Sequence, residues 1–163
     1  MSSTFDTVLA IDPGFERVGI AILARQRANI QNVIYSTCFK TSSKTPFPER
    51  LLHVGAELEK IIKKFKPQVL AIEKLYFTTN QKTAMSVAEA RGVIIYIAEK
   101  NGLEIFEYTP PEIKVAVTGF GKADKSMMIN MVRKLSNVPN AKTSDDELDA
   151  IGIGLTYLAR ERF

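Results

Sequence analysis

The sequence offers little for disulfides or soft metal chemistry. One cysteine, Cys38, stands among 163 residues, so no internal disulfide can form. Its apolar neighbours read it as a small core residue rather than a nucleophile. His53 is the only histidine. Any metal site must therefore be built from oxygen ligands, which suits Mg²⁺ or Mn²⁺ and disfavours Zn²⁺. No apolar run approaches the ~20 residues of a membrane span, and the N-terminus does not read as a signal peptide. A cytoplasmic location is expected. Neither sign of charge is scarce: Lys and Arg number 22 against 18 Asp and Glu, for a net charge of +4. That balance suits a polyanionic partner but does not select one, since many basic proteins bind no nucleic acid.

What is present is ordinary globular material, 45% hydrophobic and 25% charged, in a chain long enough for one cored domain over residues 1–163. Val8 to Ile11, Val18 to Leu23 and Ile30 to Phe39 read as three strands joined by short polar turns, hence an antiparallel meander. A loop over Thr41 to Pro48 follows. Leu51, Val54, Leu58, Ile61 and Phe65 then recur at helical steps, and Pro67 stops the helix. Val69 to Ile72 is a buried-type strand ending in Glu73. Tyr76 to Lys82 is a polar loop. Thr83 to Lys100 is a long helix whose second half, Val93 to Ala98, is apolar nearly all round, so the sheet and a second subunit are both candidates to cover it. Ile105 to Tyr108 is a fifth strand. Helices beginning at Pro110, Asp124 and Asp145 complete the chain. The expected fold is α/β, a five-stranded mixed sheet with helices on both faces.

Four acids stand out. Asp12 ends the run Val8-Leu9-Ala10-Ile11, and Glu73 ends Val69-Leu70-Ala71-Ile72. A strand that is apolar until one terminal acid sets that acid at the sheet's edge beside the core. Two such strands side by side would crowd two negative charges, which is costly unless a cation neutralises them. Asp146 and Asp149 are three apart on the last helix and so share a face. If that helix covers the two strand ends, four carboxylates converge as ligands for hard divalent ions. Plainer readings compete. Asp-Pro-Gly is a common turn, and Glu73 could be an exposed strand-end charge. Ser144-x-x-Glu147 is a capping box, which accounts for Ser144 and Glu147 but not for Asp149.

The chain resembles the RuvC family of Holliday junction resolvases, which have the RNase H-like fold. The resemblance spans nearly the whole chain. It rests on Ile11-Asp12-Pro13-Gly14, Ala71-Ile72-Glu73-Lys74-Leu75-Tyr76 and Ala90-Arg91-Gly92-Val93. It rests also on Gly119 through Ser126 and on Asp146-Glu147-Leu148-Asp149-Ala150. The resemblance implies that Asp12, Glu73, Asp146 and Asp149 bind metal and catalyse. Asp145 is a neighbouring acid, but the spacing to Asp149 favours Asp146 as third ligand. It implies Mg²⁺, with Mn²⁺ able to substitute, at one or two ions per subunit, with Asp12 bridging, and no organic cofactor. It implies a homodimer that nicks a four-way DNA junction symmetrically to 5′-phosphate and 3′-hydroxyl ends, in recombination and repair, alongside RuvA and RuvB. Many relatives carry phenylalanine where Tyr76 stands.

Lys125 and Lys114 match basic helpers of the family, with Lys125 named among the catalytic residues. The plainer reading makes both solvated surface lysines. Tyr76 and Phe77, beside the site, are candidates to stack on an unpaired base. Lys82, Arg91, Lys114, Lys122 and Lys125 are the expected DNA contacts. Gly119-Phe120-Gly121-Lys122 is not a nucleotide-binding Walker loop, because Ala116 stands at the first required glycine and Ala123 replaces the Ser/Thr. An RNA-directed nuclease of the YqgF type, a non-catalytic junction binder and half of a sugar-kinase-like ATPase are the competing classes.

Overall fold

The computed structural model describes residues 7–27, 29–75, 81–139 and 142–161. Five strands, β1 (Thr7–Asp12), β2 (Arg17–Ala24), β3 (Asn32–Lys40), β4 (Val69–Glu73) and β5 (Glu104–Tyr108), form one sheet in the order β3-β2-β1-β4-β5. β1 to β3 pair antiparallel as the meander requires, while β4 joins β1 and β5 joins β4 in parallel. The parallel joins are made by crossover helices, as they must be. This is the RNase H-like α/β architecture expected from the sequence.

Alternation along the strands sorts the core into two halves. Val8, Ala10, Val69 and Ala71 face one way, where α3 (Pro110–Thr118), α4 (Lys125–Leu135) and α5 (Asp145–Arg160) pack. Leu9, Ile11, Leu70 and Ile72 face the other way, onto α1 (Phe47–Phe65) and α2 (Gln81–Lys100). The first face is lined by small residues, so α5 comes close. A Cβ on Gly154 would lie 3.2 Å from the Ala10 side chain and 2.5 Å from Leu23.

Helix boundaries follow capping chemistry. α5 starts with the expected capping box, in which Ser144 accepts from the Glu147 N–H and the Glu147 carboxylate accepts from the Ser144 N–H. α1 begins at Phe47, inside the stretch expected to be loop, because Pro48 sits in its first turn, where a proline costs no hydrogen bond. α2 begins two residues before the expected Thr83. Its all-round apolar half is only partly covered, for Tyr96 is 65% exposed. Among the described residues no helix is long and apolar enough to cross a membrane.

Candidate metal centre and nucleic-acid interface

The acids meet for reasons visible in the strand register. Ile11 pairs with Ile72, so Asp12 and Glu73 follow at neighbouring strand ends. The period of two that turns Val8 and Ala10 toward α5 turns Asp12 the same way, and Val69, Ala71 and Glu73 repeat the pattern. On its other side Asp12 pairs with Gly19 of β2. Glycine is required there, because a Cβ would sit 2.0 Å from the Asp146 carbonyl oxygen and 3.2 Å from the Asp12 Cβ. The missing side chain lets the first turn of α5 rest on the sheet and brings Asp146 beside Asp12.

Electrostatics report the same meeting. The Asp12 carboxyl is pushed up to about 8 by burial, then by the charges of Asp149, Glu73 and Asp146 in that order, with Lys125 opposing. Glu73 is raised by burial and by Asp149, against Lys114. Asp149 opens onto the cleft, yet the cleft walls raise its carboxyl, with Lys125 again opposing. Acids raised by burial and by one another's charges are poised for a cation, which favours their ionised form. All four side chains are thus within one electrostatic neighbourhood. Glu73 stands between two grooves, one shared with Lys114, Lys125 and Asp149, the other with Asp12 and Pro13.

Asp146 differs from the other three. Burial opposes its ionisation, but Arg17 prevails and holds the carboxyl below its usual value. Arg17 donates from Nε at 2.8 Å and from Nη2 at 2.6 Å to the same oxygen, Oδ2. The Cys38 thiol donates to that oxygen at 3.6 Å. Among the described residues no three acids, cysteines or histidines already form a closed metal cage. The donor set itself fits a hard divalent ion, since it is all oxygen and crowded enough to keep Asp12 protonated without one.

Asp145, the neighbouring acid, pairs with Lys125 at 2.8 Å and adds its charge to the field that raises Asp149. Lys125 is thus held at the cleft, and this bond raises its ammonium pKa. Lys114 lines the cleft, while Lys82 and Lys122 are exposed. Arg91, expected among the DNA contacts, has a side chain only 16% exposed and paired with Glu107. Tyr76 and Phe77 lie outside the described residues. Sequence reasoning missed three residues. Arg17 opens β2, and Gly19 with its cross-strand partner Cys38 forms the floor under Asp146. The one legible signal was a glycine within an apolar strand, which marks a close approach.

Comparison with known proteins identifies the family. The family model for Crossover junction endodeoxyribonuclease RuvC matches residues 8–157. The relative of that name from Petrotoga mobilis is 41% identical over 150 residues, covering 92% of this chain and 91% of its own. That from Desulfitobacterium hafniense is 39% identical, covering 92% and 90%. Among solved structures, T. thermophilus RuvC in complex with Holliday junction substrate superposes with a TM-score of 0.89 at 28% identity, covering 94% of this chain and 93% of that one. The yeast mitochondrial Holliday junction resolvase Ydc2 shares the fold, with a TM-score of 0.71 at 14% identity over 95% and 78%. The chain belongs to the RuvC family of crossover junction endodeoxyribonucleases.

Proposed function

We propose that this chain, as one nuclease domain over residues 1–163, resolves four-way DNA junctions by symmetric hydrolysis to 5′-phosphate and 3′-hydroxyl ends. The observation that carries the reading is the Asp12 carboxyl, pushed up to about 8 where Glu73, Asp146 and Asp149 surround it. Crowding that is costly to the empty protein becomes useful once a cation neutralises it.

Asp12, Glu73, Asp146 and Asp149 would hold one or two Mg²⁺ ions, with Mn²⁺ as substitute. Such ions, when bound, lower the pKa of an attacking water and stabilise the leaving 3′-oxygen. The protein's own part is placement. Asp12, on the central strand, is the acid raised by all three others. Lys114 and Lys125 line the cleft beside Glu73 and Asp149, where they would draw in the phosphate backbone. Lys82 and Lys122 would add outer phosphate contacts, and Tyr76 and Phe77 would stack on bases at the crossover.

A symmetric cut needs two sites, and α2 offers a surface on which to pair them. Met85, Ala88, Gly92 and Tyr96 share one exposed helical face, with Met85 at 66% and Tyr96 at 65% exposure. Leu52 on α1, the helix packed against α2, is 69% exposed. Apolar surface of this kind marks an interface, and a second copy of the chain is the proposed occupant. RuvA and RuvB are the proposed working partners, on the strength of the family.

Asp12→Asn tests the site. It should reduce Mg²⁺-dependent nicking of a synthetic four-way junction by at least about a thousand-fold, the scale on which metal and charge stabilisation act. Junction binding should be unchanged or tighter. Retained cleavage would reject the site, and preferential cutting of structured RNA would favour the YqgF-type reading.

A further inference from the structure

Arg91 was expected to reach DNA, and its surroundings suggest other work. It lies in the middle of α2, on the side facing the sheet. Its Nε donates to the Glu73 backbone carbonyl at 3.1 Å. Its Nη2 pairs with the carboxylate of Glu107 on β5. With a side chain 16% exposed, it has little surface left for a phosphate.

We infer that Arg91 is a positioning residue for Glu73, anchored by Glu107, rather than a contact to the nucleic-acid backbone. This rests on reading Glu73 as a metal ligand.

The argument is geometric. Glu73 is the last residue of β4. Just beyond it, the Lys74 N–H donates to the Tyr108 carbonyl at 2.8 Å, which fixes one side of the strand end. The Arg91 guanidinium fixes the other side through the Glu73 carbonyl. A planar fork holds two acceptors at a set angle, so the Glu73 main chain is tied at once to α2 and, through Glu107, to β5. Octahedral Mg²⁺ tolerates little error in ligand position. Groups behind the ligands therefore control metal affinity, and their loss typically lowers it by about 10–100-fold.

The test compares the full-length protein with Arg91→Gln, Arg91→Lys and Glu107→Gln. Three quantities are read: junction affinity without divalent ions, the Mg²⁺ concentration for half-maximal nicking, and Mn²⁺ affinity by calorimetric titration. Thermal unfolding confirms that each variant folds. Arg91→Gln and Glu107→Gln should both raise the half-maximal Mg²⁺ concentration by about ten-fold or more and weaken Mn²⁺ binding in parallel. Junction affinity should stay within about two-fold. Arg91→Lys, which keeps the charge but loses the fork, should fall between wild type and Arg91→Gln.

Glu107→Gln separates the two roles. If Arg91 were a phosphate contact, removing its acidic partner would free it and tighten junction binding, while Arg91→Gln would weaken that binding with no change in Mg²⁺ dependence. That pattern overturns the inference, as does a normal Mg²⁺ and Mn²⁺ response in both variants. Wild-type protein that binds Mn²⁺ but nicks no junction would instead remove the nuclease reading. The Mn²⁺ titration would then still decide the role of Arg91.

Discussion

The helices α5 and α2 lie on opposite faces of one sheet, and each has a C-terminal half that is apolar on most sides. Their surroundings differ. Every residue from Ala150 to Leu158 of α5 is buried, between the sheet and α3 and α4. Among the described residues α2 packs mainly against α1 and the sheet, and its outer face keeps Met85 and Tyr96 in solvent. An apolar helix can thus be saturated by its own chain or left waiting for another, and composition alone does not say which. α5, being saturated, is rigid enough to carry two of the four acids. α2, being unsaturated, is free to carry an interface.

The sharpest way to break this comparison is to insert one methyl group into each helix contact. Gly19→Ala drives a Cβ to 2.0 Å from the Asp146 carbonyl oxygen, so α5 must lift off β2. Backbone against backbone cannot relax by a rotamer change. The expected cost is about 3 kcal/mol or more in unfolding free energy, with nicking lost because Asp146 leaves Asp12. Gly92→Ala on α2 meets nothing within 4 Å. It should stabilise the subunit by up to about 1 kcal/mol through helix propensity. Denaturant unfolding of both variants reads the contrast. Equal tolerance at both positions would mean that α5 is not seated as described.

The next effect is on assembly. Tyr96→Glu puts a charge on the open α2 face without touching the core. If that face joins two copies, the dimer should weaken by about 30-fold, from the roughly 2 kcal/mol that a central aromatic contributes. The circular dichroism of the subunit should not change. Sedimentation at micromolar concentration checks both points. A wild type that is monomeric there, or a dimer indifferent to the variant, sinks the proposed interface.

How much of this was legible beforehand depended on how local the signal was. The strand-end acids Asp12 and Glu73 could be read because each closes an apolar run, and the run itself fixes the side-chain alternation. Asp146 and Asp149 could be read from a spacing of three on a helix. The capping box that starts α5 was legible for the same reason. Arg17 was not, since an arginine opening a strand carries no mark of a partner 129 residues away. The ion pair of Arg91 with Glu107 carries no local mark either, since the two residues lie on different elements. Cys38 looked like plain core, and it is half-buried with its thiol directed at Asp146. The cover over α2 is not legible in the sequence, because periodicity reports that a face is apolar and not what lies against it.

The last effect is a pH dependence that the crowded acids of the strand ends and α5 should produce together. In the unfolded chain Asp12 ionises near 3.8, and in the folded, metal-free protein it holds its proton to about 8. Between those values the folded state binds more protons than the unfolded state, so stability falls as pH rises. Glu73 and Asp149, also raised, add to the same slope. Asp146 and Glu147 are lowered and act with the opposite sign, but their window lies below the ordinary carboxylate range, where their stabilisation is lost as pH drops. From pH 5 to pH 8 in chelator, the melting temperature should therefore fall. Mg²⁺ at pH 8 should restore it, because a cation favours the ionised carboxylates. Asp12→Asn should flatten most of the slope and leave the metal-free protein more stable at pH 8 than wild type. A melting temperature that rises from pH 5 to pH 8 without metal, or a slope that survives Asp12→Asn, would mean that the acids of α5 and the strand ends do not share one field.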